Sequence, residues 1–258
     1  MRKFPNPAGF LATTAVLLAG CEMPGHPTPG SEVPRPETVV SFESLYGQNC
    51  SGCHGANGAN GPATDLANPE YEALIDDASL RDVIANGEEG TLMPGFGLHA
   101  GGNLSDAQIN AIAQGMRARW RTGNPLSGAN PPPYKAVRAG NALNGKADYM
   151  AACARCHGVA AQHSGQAGTI LDGSFLALIN EQTIRTTILA GRPDIGEPDW
   201  RNHIPGRPMT DEEVTDVTAW LMTQKPTAPG QPYPTSATTA TRPLAKTDHS
   251  VGVHEPKS

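Results

Sequence analysis

Two short stretches carry the chemistry of this chain. Residues 50–55 read CSGCHG and residues 153–158 read CARCHG. In each, two cysteines enclose two residues and a histidine follows at once. A cysteine pair alone, in a chain that begins like an exported protein, suits a disulfide or a redox site. The added histidine makes C-x-x-C-H, the attachment signature of a c-type haem. On a helical turn, the two-residue gap sets the sulfurs at the two vinyl groups of the ring, where each closes a thioether. The histidine then rises over the ring and binds the iron. Cys50, Cys53, Cys153 and Cys156 are therefore candidate attachment residues for two covalent haems, with His54 and His157 as candidate iron ligands. Zinc does not fit, because neither pair has a second ligand pair at finger spacing.

The fifth cysteine, Cys21, closes the opening stretch MRKFPNPAGFLATTAVLLAGC. Arg2 and Lys3 precede an apolar run from Phe10 to Leu18, too short to span a bilayer and suited to a secretory signal. The ending Leu18-Ala19-Gly20-Cys21 resembles a bacterial lipobox, after which Cys21 would be acylated. Two or three acyl chains anchor a protein stably where one does not. No other segment reads as a membrane span. Glu22, rather than an aspartate, follows the cysteine and leans toward the outer membrane.

The elements that position the motifs occur twice. Tyr46 and Tyr149 both precede the first motif cysteine by four residues. Downstream, YEALI at 71–75 faces FLALI at 175–179, SLRDVIANG at 79–87 faces TIRTTILAG at 183–191, and LSDAQINAI at 104–112 faces MTDEEVTDV at 209–217. Self-similarity on this scale predicts tandem domains rather than a solenoid. Each unit reads as helix, haem motif, loop, two short helices, loop and final helix. Ser105 with Gln108, and Thr210 with Glu213, read as capping boxes that open the final helices. Ile109, Ile112 and Met116, like Val214, Val217 and Leu221, are spaced as a buried helical stripe. No stretch alternates as a strand, so the fold is expected to be all-α. The predicted plan is a signal peptide over 1–20, a Pro-rich tether over 21–40 and a first haem domain over 41–121. A Pro-rich linker over 122–137, a second haem domain over 138–225 and a disordered tail over 226–258 complete it.

From about Ser41 to Lys225 the chain resembles the tandem dihaem kind of class I cytochrome c, through its two CHG motifs and capped final helices. The resemblance implies a few helices wrapped around each haem, and electron transfer as the usual role. It also implies a methionine as sixth iron ligand, in the loop before the last helix. The first unit has GTLMPGFG there, with Met93 followed by Pro94. Met-Pro-Gly in a polar loop is a poor core segment, and thioether ligation gives a comparatively high potential.

The second unit lacks that methionine. Aligning Gly87 with Gly191 sets Glu197 opposite Met93, Pro198 opposite Pro94 and Trp200 opposite Phe96. Four fillings stay open: His203 swinging in, Met209 leaving its helix-staple position, an open iron, or Glu197 itself. His203 and Met209 rank together, ahead of an open iron. Glu197 comes last, since a carboxylate is a hard ligand and uncommon on haem c.

Residues 41–121 hold ten acids and four bases, whereas residues 135–225 hold ten acids and nine bases. An acidic first domain suits a basic docking face on a redox partner. No basic stripe or patterned aromatics suggest nucleic acid. The leading expectation is a membrane-anchored one-electron carrier on the periplasmic side, between a quinol-oxidising complex and a terminal oxidase or reaction centre. The alternative is a haem enzyme, peroxidase-like or acting on small sulfur compounds, at a labile second haem. His163 and His203 are its candidate acid–base groups. A sensing or structural subunit of a larger complex is a third.

Overall fold

The computed structural model describes residues 34–161 and 165–227. Cys21 and its expected lipid, most of the tether, His163 and the tail beyond 227 lie outside the described residues. Among the described residues, every regular element is a helix, and the only pairings of extended backbone are isolated bridges. The expected all-α fold is what forms. The first unit runs α1 (Phe42–Asn49), α2 (Ser51–His54), α3 (Pro69–Leu74), α4 (Asp77–Asn86) and α5 (Asp106–Trp120). The second repeats it as α6 (Ala142–Ala152), α7 (Ala154–His157), α8 (Gly173–Ala177), α9 (Glu181–Ala190) and α10 (Asp211–Thr223).

Both final helices open with the capping boxes that the sequence predicts, Ser105 with Gln108 and Thr210 with Glu213. Each box satisfies amide groups that the first helical turn would leave bare. The stripes Ile109, Ile112, Met116 and Val214, Val217, Leu221 are buried in two separate apolar clusters, one per unit. Leu104 and Met209, just before the caps, sit in the same clusters.

In each unit the first and last helices cross at a glycine. A Cβ on Gly115 of α5 would lie 2.1 Å from the Phe42 ring of α1. A Cβ on Gly145 of α6 would lie 1.9 Å from the Asp216 carbonyl oxygen and 2.8 Å from Trp220 Cβ, both on α10. Phe42 and Gly145 hold equivalent positions in the two units, and so do Gly115 and Trp220. Each crossing thus joins one glycine to one aromatic residue, with the two roles on opposite helices. Gly145→Ala is expected to destabilise the second unit by about 1–3 kcal/mol, because a backbone oxygen cannot swing aside as a side chain can. Guanidinium unfolding of the holoprotein, followed by circular dichroism, reads this as an earlier transition. An unchanged midpoint would mean that α6 and α10 part without cost.

The two units are locked together. Arg185 on α9 is 2% exposed and donates from Nε and Nη2 to the Pro133 carbonyl, at 3.0 and 2.7 Å. Its Nε also reaches the Tyr134 carbonyl at 3.2 Å, while Nη1 donates to Thr215 Oγ1 at 2.9 Å and Nη2 to Asp211 Oδ1 at 2.5 Å. The Pro-rich connector is thereby pinned to the second unit. Across the interface, the buried Asn68 serves two helices at once. Its Oδ1 accepts from the Glu70 amide at the start of α3, and its Nδ2 donates to the Ala190 and Gly191 carbonyls at the end of α9. Arg201 adds an ion pair to Glu70 at 3.1 Å.

Candidate haem sites

Each motif helix is a single turn, and its histidine is its last residue. The glycine that follows, Gly55 or Gly158, has φ of +81° or +83°, a left-handed geometry in which a side chain would be strained. A tyrosine from the preceding helix holds that turn: Tyr46 Oη donates to the Gly55 carbonyl at 2.7 Å, and Tyr149 Oη to the Gly158 carbonyl at 2.8 Å. The tyrosines four residues before each motif therefore act on the turn itself. The loop beyond folds back just as tightly. A Cβ on Gly61 would lie 2.2 Å from the Cys53 carbonyl oxygen, and one on Gly165 would lie 2.1 Å from that of Cys156.

Both histidines are fixed from behind. His54 Nδ1 lies 2.8 Å from the Thr64 carbonyl and His157 Nδ1 lies 3.0 Å from the Gly168 carbonyl. A carbonyl only accepts, so Nδ1 carries the proton and Nε2 is left as the metal-binding nitrogen, the arrangement that orients a ligating imidazole. Burial lowers the His54 pKa; its bond to the Thr64 carbonyl opposes this, and the charge of Arg192 adds to it. The neutral form that a metal needs is thereby favoured.

The cysteines also suit attachment. None of the four motif cysteines is paired in a disulfide. Burial pushes Cys50 up to about 11 and Cys153 up to about 12, so both stay protonated at neutral pH. Cys156 borders an open hollow of about 690 Å³ with Arg155, Gly165 and Gln166. In the second core, Trp200 Nε1 is a buried donor with no acceptor, which the polar edge of a bound group would satisfy. These features fit a haem at each motif.

The loops facing the histidines correspond by their backbones as well as by alignment. The Glu88 amide donates to the Met93 carbonyl at 3.1 Å, and the Arg192 amide donates to the Glu197 carbonyl at 3.0 Å. A Cβ on Gly87 would meet the Met93 carbonyl oxygen at 2.5 Å, and one on Gly191 would meet that of Glu197 at 2.8 Å. Met93 is half-buried in its loop. Glu197 therefore stands where the first unit has Met93.

The structure places the side-chain candidates for the second site differently. Glu197, ranked last, has Oε2 3.3 Å from His157 Nε2. His203 is a buried side chain. It is 5% exposed, its Nε2 lies 3.3 Å from the Ile188 carbonyl, and its Nδ1 lies 3.9 Å from Glu197 Oε1. Met209 is 1% exposed and packs in the second core, its amide donating to the Trp200 carbonyl at 2.9 Å. This repeats Leu104, whose amide donates to the Phe96 carbonyl at 2.8 Å, so Met209 fills the helix-staple role because the backbone holds it there.

Electrostatics tie this carboxylate to its neighbours. Burial raises the Glu197 pKa, but the hydrogen bond from His157 and the charges of His157 and His203 outweigh it and hold the carboxyl below its ordinary value. The same hydrogen bond raises the His157 pKa against the effect of burial. An iron at Nε2 would replace that proton. Burial lowers the His203 pKa, with the Glu197 charge opposing.

One residue of the second unit extends to the first site. Arg192 Nη2 donates to the Gly61 carbonyl at 2.9 Å and pairs with Asp194 Oδ2 at 2.7 Å, while that oxygen accepts from the Asn60 amide at 3.0 Å. The backbone of Arg192 pairs in both directions with Glu197. A continuous chain of contacts thus runs from the carboxylate facing His157 to the loop behind His54. Neither Arg192 nor the pinning carbonyls stood out in the sequence.

Comparison with known proteins agrees with these features. Residues 37–114 match the family model described as cytochrome C oxidase, cbb3-type, subunit III, and residues 142–225 match the model for cytochrome c. No curated protein matches the chain. Among solved structures, the chain is similar to a reducing HAO-like protein complex of Kuenenia stuttgartiensis. That similarity has 16% identity and a TM-score of 0.42, over 76% of this chain and 100% of the other. It is also similar to a dihydro-heme d1 dehydrogenase in complex with DHE, at 32% identity and a TM-score of 0.27. There it covers 37% of this chain and 18% of the other.

Proposed function

This chain is a tandem cytochrome c, two domains each with a covalently bound haem c, and from that premise we propose that it is a lipid-anchored one-electron carrier of a respiratory or photosynthetic chain. Haem-based electron transfer follows from the domains themselves. The observation that carries the finer reading is the duplicated proximal site. Each motif histidine is pinned through Nδ1 by a backbone carbonyl, on a one-turn helix clamped by a tyrosine. Such a mount holds the ring orientation fixed while the oxidation state changes, which is what a carrier needs.

When bound, the haems supply reversible one-electron exchange at iron. The residues of the chain divide the remaining tasks. Cys50 with Cys53, and Cys153 with Cys156, hold the haems covalently, and His54 and His157 ligate from the proximal side. Met93 is the sixth ligand in the first domain, where its soft sulfur favours the reduced iron. The interface through Asn68, Arg192 and Arg201 keeps the two domains in one arrangement. Cys21 carries the lipid on the periplasmic face of a bacterial membrane, and the partners are a quinol-oxidising complex and a terminal oxidase or reaction centre.

The excess of acids in residues 41–121 supplies the test. Electron transfer from the reduced holoprotein to a basic redox protein is expected to slow steeply as salt is raised through the range that screens surface charge. A rate independent of ionic strength would remove the docking role of the first domain. Cys21→Ala is expected to move the protein from the membrane fraction to the soluble periplasmic fraction. A second reading, a haem enzyme acting at haem 2, is favoured by the absence of a methionine opposite Met93. Peroxide turnover by the holoprotein tests it.

A further inference from the structure

We propose that Glu197 is the sixth ligand of the haem 2 iron, and that haem 2 is consequently the low-potential member of the pair. Two features of the chain converge on this carboxylate. Its backbone position is that of Met93, fixed by the paired amide and carbonyl of Arg192 and by the close pass of Gly191. Its side chain already faces the correct nitrogen, with Oε2 3.3 Å from His157 Nε2. Bonds from a metal to imidazole or carboxylate are about 2.0–2.2 Å, so axial ligands on opposite faces of one ion stand about 4 Å apart. The observed separation would need to open by about an ångström.

The other candidates are committed elsewhere. Met209 is a core residue held by the Trp200 carbonyl. His203 is turned toward the Ile188 carbonyl, with Nδ1 beside the second carboxylate oxygen, Oε1. With Nε2 donating to that carbonyl, His203 is engaged away from the iron position.

The consequence is a direction. A hard, anionic oxygen donor favours the oxidised iron, whereas the thioether of Met93 favours the reduced one. Electrons entering at haem 2 then run downhill to haem 1. That direction rests on the carrier reading, whereas the ligation does not.

The test is low-temperature EPR and redox titration of the two-haem protein. The oxidised parent is expected to give one low-spin His/Met signal from haem 1 and a distinct signal from carboxylate-ligated iron, with two separated midpoints. Glu197→Met should replace the second signal with another of His/Met type and raise the haem 2 midpoint toward that of haem 1, which stays in place. Glu197→Gln keeps the side-chain size and should abolish the carboxylate signal. It decides the matter if the methionine variant fails to take up its second haem. His203→Ala should leave the carboxylate signal of haem 2 and the haem 1 signal in place. The proposal is overturned if Glu197→Gln leaves the haem 2 spectrum and midpoint at parental values, or if the parent shows a bis-histidine signal that His203→Ala removes. Failure of the reduced holoprotein to pass electrons to any partner, with these spectra intact, would remove the carrier reading and leave the ligation standing.

Discussion

Replacing Cys153 and Cys156 together by serine is expected to yield a protein with one covalent haem instead of two. A serine hydroxyl does not form the thioether, so the second ring is lost on denaturation while the first remains bound through Cys50 and Cys53. Mass spectrometry of the denatured chain reads the difference as one haem mass, and haem absorbance per chain falls by about half. The stability cost falls unevenly. Cys153 is buried in the second core beside Tyr149, and Trp200 Nε1 there has no partner from the chain itself. The second domain should therefore unfold at much lower denaturant than in the parent. The first domain has its own cluster around Tyr46, Ile112 and Met116 and should keep its own haem spectrum. Two covalent haems in the double variant would refute the attachment assignment.

Arg185→Ala is the second large effect, and it concerns architecture rather than chemistry. The guanidinium is almost wholly enclosed and makes bonds to two connector carbonyls, one hydroxyl and one carboxylate. Truncation strands those acceptors and leaves a cavity where the side chain ran. Losing one member of such a buried charged network costs about 3–5 kcal/mol. Equilibrium unfolding of the holoprotein should show the loss. Limited proteolysis should show new cleavage near Pro133 and Tyr134, because the connector has lost its tie. A variant within about 1 kcal/mol of the parent and equally resistant to protease would show that the connector is held by other contacts. Arg185→Lys should recover only part of the stability, since an ammonium does not reproduce the planar fork.

What the sequence reveals and conceals follows from range. The C-x-x-C-H motifs, the two capping boxes and the stripes of α5 and α10 are patterns within a few residues, and each forms as its spacing predicts. The register of the repeat also locates Glu197 opposite Met93 before any coordinates are considered. Donor softness sets the ranking of Glu197 there, while the loop geometry that brings its Oε2 3.3 Å from His157 Nε2 has no local signature. The burial of His203 is likewise silent in the sequence, because the acceptor beside it, the Ile188 carbonyl, is a backbone group. The same holds for the Thr64 and Gly168 carbonyls behind the motif histidines. Arg185 and Arg192 look like surface charges on and after an amphipathic helix. Their partners lie on the connector, on α10 and on the opposite domain, far along the chain.

The reversed glycine and aromatic pairs at the two helix crossings bear on how such a chain can be rearranged. A recombination event that copied the final helix of one half over that of the other would set Phe42 against Trp220 at one crossing, or Gly145 against Gly115 at the other. The first product has two rings competing for one gap, and the second has a gap with nothing to fill it. Despite their common plan, the halves are not spare parts for each other. A working exchange has to carry the first and last helices of a half together, so the pair, rather than the single helix, is the smallest heritable module of this molecule.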